Sequence, residues 1–312
     1  MDLPFSFLST FFLIFSPQNK RMKLYKLLFA FYITLTLFSC KKNEDASENG
    51  ISVAPKTILN VPYGDNAMQK MDIYLPAGRR DDSTKVMILI HGGAWASGDK
   101  VDFNSYIDTL KRLLPDYAFF NINYRLSAGD TINKFPTQET DVRFAVNHIL
   151  GKASEYQVSK KIVLLGASAG GHLAMLQGYK DTTSVRVKAI VSLFGPSDLV
   201  DMYNNPVGGN IALRILLGAT IGKTPVQDLQ LYINSSPVTF IKATSAPTIL
   251  LHGGLDPLVS PTQSTKVRDL LTTAGVINQY VLYPTSGHGD WSIATFNDAF
   301  GKIQTFLRAN VR

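Results

Sequence analysis

Ser168 stands in Gly166-Ala167-Ser168-Ala169-Gly170, directly after the apolar run Ile162-Val163-Leu164-Leu165. A serine among residues without bulk, where a buried strand gives way to a helix, is held on a sharp turn with its hydroxyl pointing away from the sheet. A free hydroxyl is a weak nucleophile near neutral pH and needs a base within hydrogen-bond reach. His288 offers that base, in Ser286-Gly287-His288-Gly289 after the run Tyr280-Val281-Leu282-Tyr283. Asp256, beyond Thr248-Ile249-Leu250-Leu251, offers the carboxylate that fixes the imidazole tautomer and stabilises the imidazolium. The chemistry these types permit is covalent attack on a carbonyl carbon. The resulting oxyanion needs preorganised donors. The N–H of Ala169, next to the nucleophile, supplies one, and Gly93 and Ala94 in His91-Gly92-Gly93-Ala94-Trp95 supply others, with Gly92 making the turn.

Taken singly, each has a plainer reading: a structural serine, a buried neutral histidine, a capping aspartate, a glycine-rich turn. Position joins them. Each polar group follows the end of a strand-like run, the edge at which parallel α/β sheets carry their sites. Of the other histidines, His91 is expected to brace the oxyanion loop through a side-chain hydrogen bond. His172 is expected to pack or hydrogen-bond one turn into the helix after Ser168, His148 to lie at a surface or interface, and His252 to be a structural residue at a strand end. No His-Glu-x-x-His spacing, phosphate-binding glycine loop or Gly-x-Gly-x-x-Gly after a strand occurs, so neither a metal nor a cofactor is expected.

The elements that must position these groups are legible in the apolar pattern. Ile58 to Tyr63 and Lys70 to Leu75 predict two early antiparallel strands, with Asp72 and Tyr74 near a partly exposed sheet edge. Val86 to Ile90 predicts a strand covered on both faces. Tyr106, Ile107, Leu110, Leu113 and Leu114 fall at helical spacing before Pro115, and Tyr117 to Tyr124 predicts the next strand. A helix ending near Gly151, the Ser168 strand and helix, and a strand over Val187 to Phe194 follow. The chain then closes with strand, helix, strand, helix over Thr248–Leu251, Thr262–Thr273, Gln279–Tyr283 and Ile293–Leu307. This alternation predicts an α/β fold with a mainly parallel central sheet flanked by helices. Residues 198–246 interrupt it with glycines, prolines and the run from Ile211 to Leu217, which predicts a small helical cap over the cleft; a peripheral helix pair is the alternative.

Among 312 residues, 45% are hydrophobic and 18% charged, ordinary globular composition with ample core. The net charge of +7 falls to +4 without residues 1–39, and the remaining Lys and Arg form no stripe, so no nucleic-acid partner is expected. The single cysteine, Cys40, excludes an intramolecular disulfide. It closes a stretch with a basic start (Lys23, Lys26), a short apolar core (Leu27 to Phe38) and Leu37-Phe38-Ser39-Cys40, which resembles a bacterial lipobox. Residues 22–39 are therefore expected to be a lipoprotein signal with translation starting at Met22, residues 1–21 an upstream extension, and residues 40–54 the lipidated cysteine and a flexible tether. This predicts export and a membrane anchor through lipid on Cys40; plain secretion is the alternative. Residues 55–312 are expected to form one catalytic domain.

Over about residues 55–310 the chain resembles the α/β-hydrolase superfamily, and within it the small esterases related to hormone-sensitive lipase and the BD-FAE-like carboxylesterases. Beyond the Ser–Asp–His chain order, the resemblance rests on Met71 to Pro76, His91 to Trp95, Asn123 to Leu126, Asp141-Val142, Gly170 to Ala174, Gly195 to Leu199, Ser235 to Val238 and Gly287-His288. It implies a cofactor-free serine hydrolase acting on carboxylic esters, including acetyl or feruloyl groups on plant polysaccharide. Amidases, peptidases and kynurenine formamidases share the apparatus and remain open, as does a non-catalytic glycan-binding lipoprotein. Ala94 replaces the third glycine of the commoner His-Gly-Gly-Gly loop; its N–H is retained.

Overall fold

The computed structural model describes residues 53–129, 131–180 and 183–312. Residues 1–21, expected as an upstream extension, residues 22–39, expected as an export signal, Cys40 and nearly all of the expected tether lie outside the described residues. In chain order the elements are β1 (Lys56–Pro62), β2 (Lys70–Leu75), β3 (Lys85–Ile90), α1 (Asn104–Leu113), β4 (Tyr117–Ile122), α2 (Thr137–Gly151), the single turn α3 (Ala153–Tyr156), β5 (Ile162–Ala167) and α4 (Ala169–Lys180). There follow β6 (Ala189–Leu193), the short helices α5 (Leu199–Asn204), α6 (Ile211–Ile221) and α7 (Leu229–Asn234), then β7 (Thr248–Gly253), α8 (Thr262–Thr273), β8 (Asn278–Tyr283) and α9 (Ile293–Asn310).

The eight strands form one sheet in the order β1-β2-β4-β3-β5-β6-β7-β8. The β1–β2 and β2–β4 pairs are antiparallel and all others parallel. The central strands, such as β3 and β5, read as nearly unbroken apolar runs because both faces are covered, whereas β1 at one edge is largely exposed. Val86, Ile88 and Ile90 of β3 belong to a core cluster with residues of α2, α4 and α8 on one face of the sheet; Met87 and Leu89 belong to a second with residues of α1 and α9 on the other. Strand order reverses around β3, which lies between β4 and β5. Ligands of open α/β sheets bind outside the strand ends at such a reversal. The His91–Trp95 loop leaves β3 there, and Ser168 leaves β5 beside it.

One expectation changes. Asp72 does not lie near an exposed edge: β1 pairs with β2, and the Asp72 side chain is 5% exposed, paired at 2.8 Å with the buried Lys100 ammonium. Two charges leave water together only when they neutralise each other. Here the pair is joined to β4 through Asn121 Nδ2, which donates to the Lys100 carbonyl at 2.6 Å. Lys100 lies just beyond the His91–Trp95 loop, so the pair anchors that loop's far end. The insertion between β6 and β7 is helical, as the run from Ile211 implied, and α6 stands over Ser168. Among the described residues no helix is long and apolar enough to cross a membrane.

Candidate active site

Ser168 occupies a left-handed backbone conformation, with φ of 52° between β5 and α4. Few non-glycine residues tolerate this region, and such strain persists only where the surroundings enforce it. They do so here by close packing. A Cβ on Gly170 would collide with the Ile90 carbonyl, and one on Gly166 with the Gly170 carbonyl, so the turn is pressed against the end of β3. The Ser168 N–H donates to Leu193 O at 2.8 Å, and its carbonyl accepts from the His172 N–H at 3.0 Å.

His288 and Asp256 converge on this turn. Ser168 Oγ lies 2.8 Å from His288 Nε2, and His288 Nδ1 lies 2.6 Å from Asp256 Oδ2. The carboxylate dictates the tautomer: Nδ1–H donates to it, leaving Nε2 to accept from the serine hydroxyl. Asp256 Oδ1 accepts from the N–H groups of Leu258 and Val259, both at 2.8 Å. Burial would push the Asp256 carboxyl up. Hydrogen bonds from His252, His288 and the Val259 N–H outweigh that and hold it well below the usual carboxylate range. Its contribution to stability is therefore present above the ordinary value of about 4 and is lost only as pH falls through the lowered one.

The two segments expected to supply oxyanion donors, the His91–Trp95 loop and the Ser168–Ala169 turn, meet at this serine. A Cβ on Gly92 would lie 3.3 Å from Ser168 Cβ, so glycine is what lets the loop approach the nucleophile. Gly93 has φ of 99°, and a Cβ there would collide with the Ser97 carbonyl; Ala94 continues the left-handed path at 52°. The Gly93 carbonyl accepts from the Ala96 and Ser97 N–H groups and the Ser97 hydroxyl. Among the described residues, none of the loop's hydrogen bonds uses the N–H of Gly93 or Ala94. Tyr124 Oη holds the loop's base by donating to the His91 and Gly92 carbonyls at 3.1 and 3.0 Å. His91 braces the loop as expected, its Nδ1 donating to Gly92 O at 2.7 Å and its ring stacked on Tyr124.

His172 does more than pack. Its Nδ1 accepts from Trp95 Nε1–H at 3.2 Å and its Nε2–H donates to Ser235 O at 2.7 Å. It thus ties the His91–Trp95 loop to the segment that closes the cap. Complete burial pushes the imidazole down to about 4. A group that stays neutral in the fold but protonates near 6.5 when unfolded costs stability as pH falls between those values. The loss expected between pH 7.5 and 4 is about 3 kcal/mol. His91, also lowered by burial, adds to the same slope. Urea unfolding at the two pH values should show a shallower loss in His172→Gln than in the wild type; identical losses would remove His172 from this account.

His252 reaches the site in a way its strand-end position did not disclose. Its Nε2 lies 2.9 Å from Val259 O and 3.3 Å from Asp256 Oδ2, and its Nδ1 lies 2.7 Å from Ser264 Oγ. Both neighbours of Nε2 are acceptors, so Nε2 carries the proton and Nδ1 accepts from the serine hydroxyl. Asp256 Oδ2 therefore faces two imidazole N–H groups. The four-residue spacing from His252 to Asp256 was the available signal. Phe194, edge-on to the His288 ring with centroids 4.7 Å apart, was also missed. His148 is half-buried on α2. Among the described residues there is no cluster of metal-ligating side chains.

Known proteins resemble this chain over most of its described length. Esterase LipC of Mycobacterium tuberculosis is 24% identical over 73% of the chain and 59% of its own length. The probable carboxylic ester hydrolase LipM of the same organism is 29% identical over 72% of the chain and 53% of its own length. The chain thus spans little more than half of each of these relatives. A truncated carbohydrate esterase from gut microbiota has a similar fold, with a TM-score of 0.66, 23% identity, and coverage of 80% of this chain and 96% of that one. The BD-FAE family model matches residues 71–271, and with that match, on this sheet, the chain belongs to the BD-FAE family of the α/β-hydrolase fold.

Proposed function

We propose that the protein is a carboxylesterase that works through an acyl-enzyme on Ser168. The observation that carries this reading is the unbroken relay from Ser168 Oγ to His288 at 2.8 Å and on to Asp256 at 2.6 Å, beside unspent backbone donors. Ser168 Oγ attacks the ester carbonyl as its proton passes to His288 Nε2. The carbonyl oxygen becomes an oxyanion held by the N–H groups of Ala169, Gly93 and Ala94, with Gly92 leaving room for the approach. The imidazolium, stabilised by Asp256, gives the proton to the departing alcohol. Water then repeats the sequence on the acyl-enzyme, releasing the acid and restoring Ser168. No step calls on a metal or cofactor.

Both relatives named above are called esterases or ester hydrolases, which supports esters over other acyl compounds. Acylated carbohydrate is the substrate class we favour, with acetyl or feruloyl as the acyl group. The test is turnover of p-nitrophenyl acetate against p-nitroacetanilide and acetylated xylan. Rapid cleavage of the aryl ester and release of acetate from xylan support the reading; cleavage of the anilide alone would replace it with an amidase.

We also propose that Cys40 carries the lipid that holds the exported protein to a membrane, supported by Leu37-Phe38-Ser39-Cys40. Palmitate labelling in a bacterial host should be lost in Cys40→Ser; labelling that persists there would overturn the assignment.

A further inference from the structure

Ala94 and Trp95 are two successive non-glycine residues in the left-handed region, with φ of 52° and 60°, directly after Gly93 at 99°. L-residues visit that region singly and at a cost, because Cβ crowds the following carbonyl oxygen. A consecutive pair persists only where contacts on both sides hold it. Upstream, Tyr124 Oη grips the His91 and Gly92 carbonyls. Downstream, the hold falls on Trp95. Its carbonyl accepts from the Ser127 N–H at 2.9 Å. Its buried indole has one polar atom, and that Nε1–H donates to His172 Nδ1 at 3.2 Å. The N–H groups of Gly93 and Ala94, the donors proposed above, lie between these two anchors.

His172 is a rigid support for the indole. It is fully buried, edge-on to both Trp95 and Phe135 with ring centroids 5.1 and 5.6 Å apart, and its Nε2–H is committed to Ser235 O at 2.7 Å. That commitment fixes the tautomer in which Nδ1 accepts from the indole. The His172 N–H donates to the Ser168 carbonyl at 3.0 Å, in the first turn of α4, the helix whose first residue, Ala169, offers the other donor. The indole–imidazole bond therefore spans the two segments that must face one oxygen atom. An oxyanion is stabilised by donors already in place, and a misplacement of about 1 Å costs on the order of 10²-fold in rate.

Resting on the esterase reading above, we infer that the Trp95–His172 hydrogen bond is a strut that sets the Gly93 and Ala94 N–H groups against the Ala169 N–H, making Trp95 and His172 positioning residues for the oxyanion. Their polar atoms are occupied by each other and by Ser235, so neither side chain donates to the oxyanion itself. Loss of the strut withdraws stabilisation as charge develops on the carbonyl oxygen and leaves binding of the uncharged ester largely as it was. Trp95 lines the cavity above Ser168 and His172 does not, so substitutions at His172 alter the strut without altering contact with the substrate.

The experiment compares the wild type with His172→Leu, His172→Asn and Trp95→Phe. Leucine and asparagine share one branched outline and both forgo the Ser235 bond, but only asparagine carries an acceptor, Oδ1, where His172 Nδ1 stands. Trp95→Phe keeps an aromatic ring and removes the N–H. For each protein kcat and KM are measured on p-nitrophenyl acetate, with Ki for a trifluoromethyl ketone. Ser168 Oγ adds to the ketone carbonyl as its proton passes to His288 Nε2, leaving an oxyanion on the adduct. His172→Leu and Trp95→Phe should lose on the order of 10²-fold in kcat with KM little changed, and the ketone should weaken by the same factor as kcat/KM. His172→Asn should recover most of that loss. Unfolding midpoints establish that each variant is folded in the assay; if His172→Leu is not, Trp95→Phe decides. Wild-type kcat in Trp95→Phe, a loss in His172→Asn as deep as in His172→Leu, an effect confined to KM, or ketone affinity unmoved while kcat falls would overturn the strut and leave the esterase reading intact. A wild type that fails to cleave p-nitrophenyl acetate would sink the esterase reading and this inference with it.

Discussion

Ser168→Ala should lower kcat on p-nitrophenyl acetate by on the order of 10⁶-fold, the loss found when the nucleophile of a serine hydrolase triad is deleted. The residual rate should stay above the uncatalysed one, because the backbone donors at Gly93, Ala94 and Ala169 do not depend on the serine hydroxyl. The fold should survive. The left-handed turn is imposed by the packing of Gly166 and Gly170 against the backbone, and alanine accepts φ of 52° about as poorly as serine does. Unfolding midpoints of the two proteins should coincide, separating loss of the nucleophile from loss of structure. A residual rate within tenfold of the wild type would mean that another group attacks the ester.

Asp256→Asn should lower kcat by about 10⁴-fold, and the reason is local. Every position around the carboxylate faces a donor: the Leu258 and Val259 N–H groups at Oδ1, and His288 and His252 at Oδ2. An amide has one acceptor oxygen and one donor nitrogen. Backbone N–H groups cannot reverse, so the carboxamide nitrogen must turn toward His288 Nδ1 and force that imidazole into the opposite tautomer, while His252 keeps its Nε2 proton on the Val259 carbonyl. His288 would then present Nε2–H to Ser168 and could no longer take its proton. The downfield proton resonance expected for His288 Nδ1–H in the wild type should vanish in Asp256→Asn, together with activity. Retention of both would contradict the tautomer argument.

Much of this site was legible because its parts are local. Strands buried on both faces announce themselves as continuous apolar runs, and the Ser168 turn as small residues at a strand end, since larger ones would strike the backbone of β3 and α4. The order Ser168, Asp256, His288 followed from where each sat after its strand. What stayed hidden depends on contacts between distant segments. Asp72 read as an edge residue because its neutralising partner, Lys100, arrives from a different loop. His252 reaches Asp256 only because residues 253–259 fold back on the strand end. The inward face of α6 could not be read from periodicity, because Ile211-Ala212-Leu213-Arg214-Ile215-Leu216-Leu217 is apolar nearly all round. Packing alone decides that Leu213 and Leu217 are buried while Ile211 and Ile215 are each 66% exposed.

The most direct measurement is the site of covalent capture. A fluorophosphonate requires an activated serine beside an oxyanion hole, so the wild-type protein should gain one equivalent, with peptide mass mapping locating the adduct on Ser168. An unlabelled protein, or an adduct on any other residue, would contradict the account.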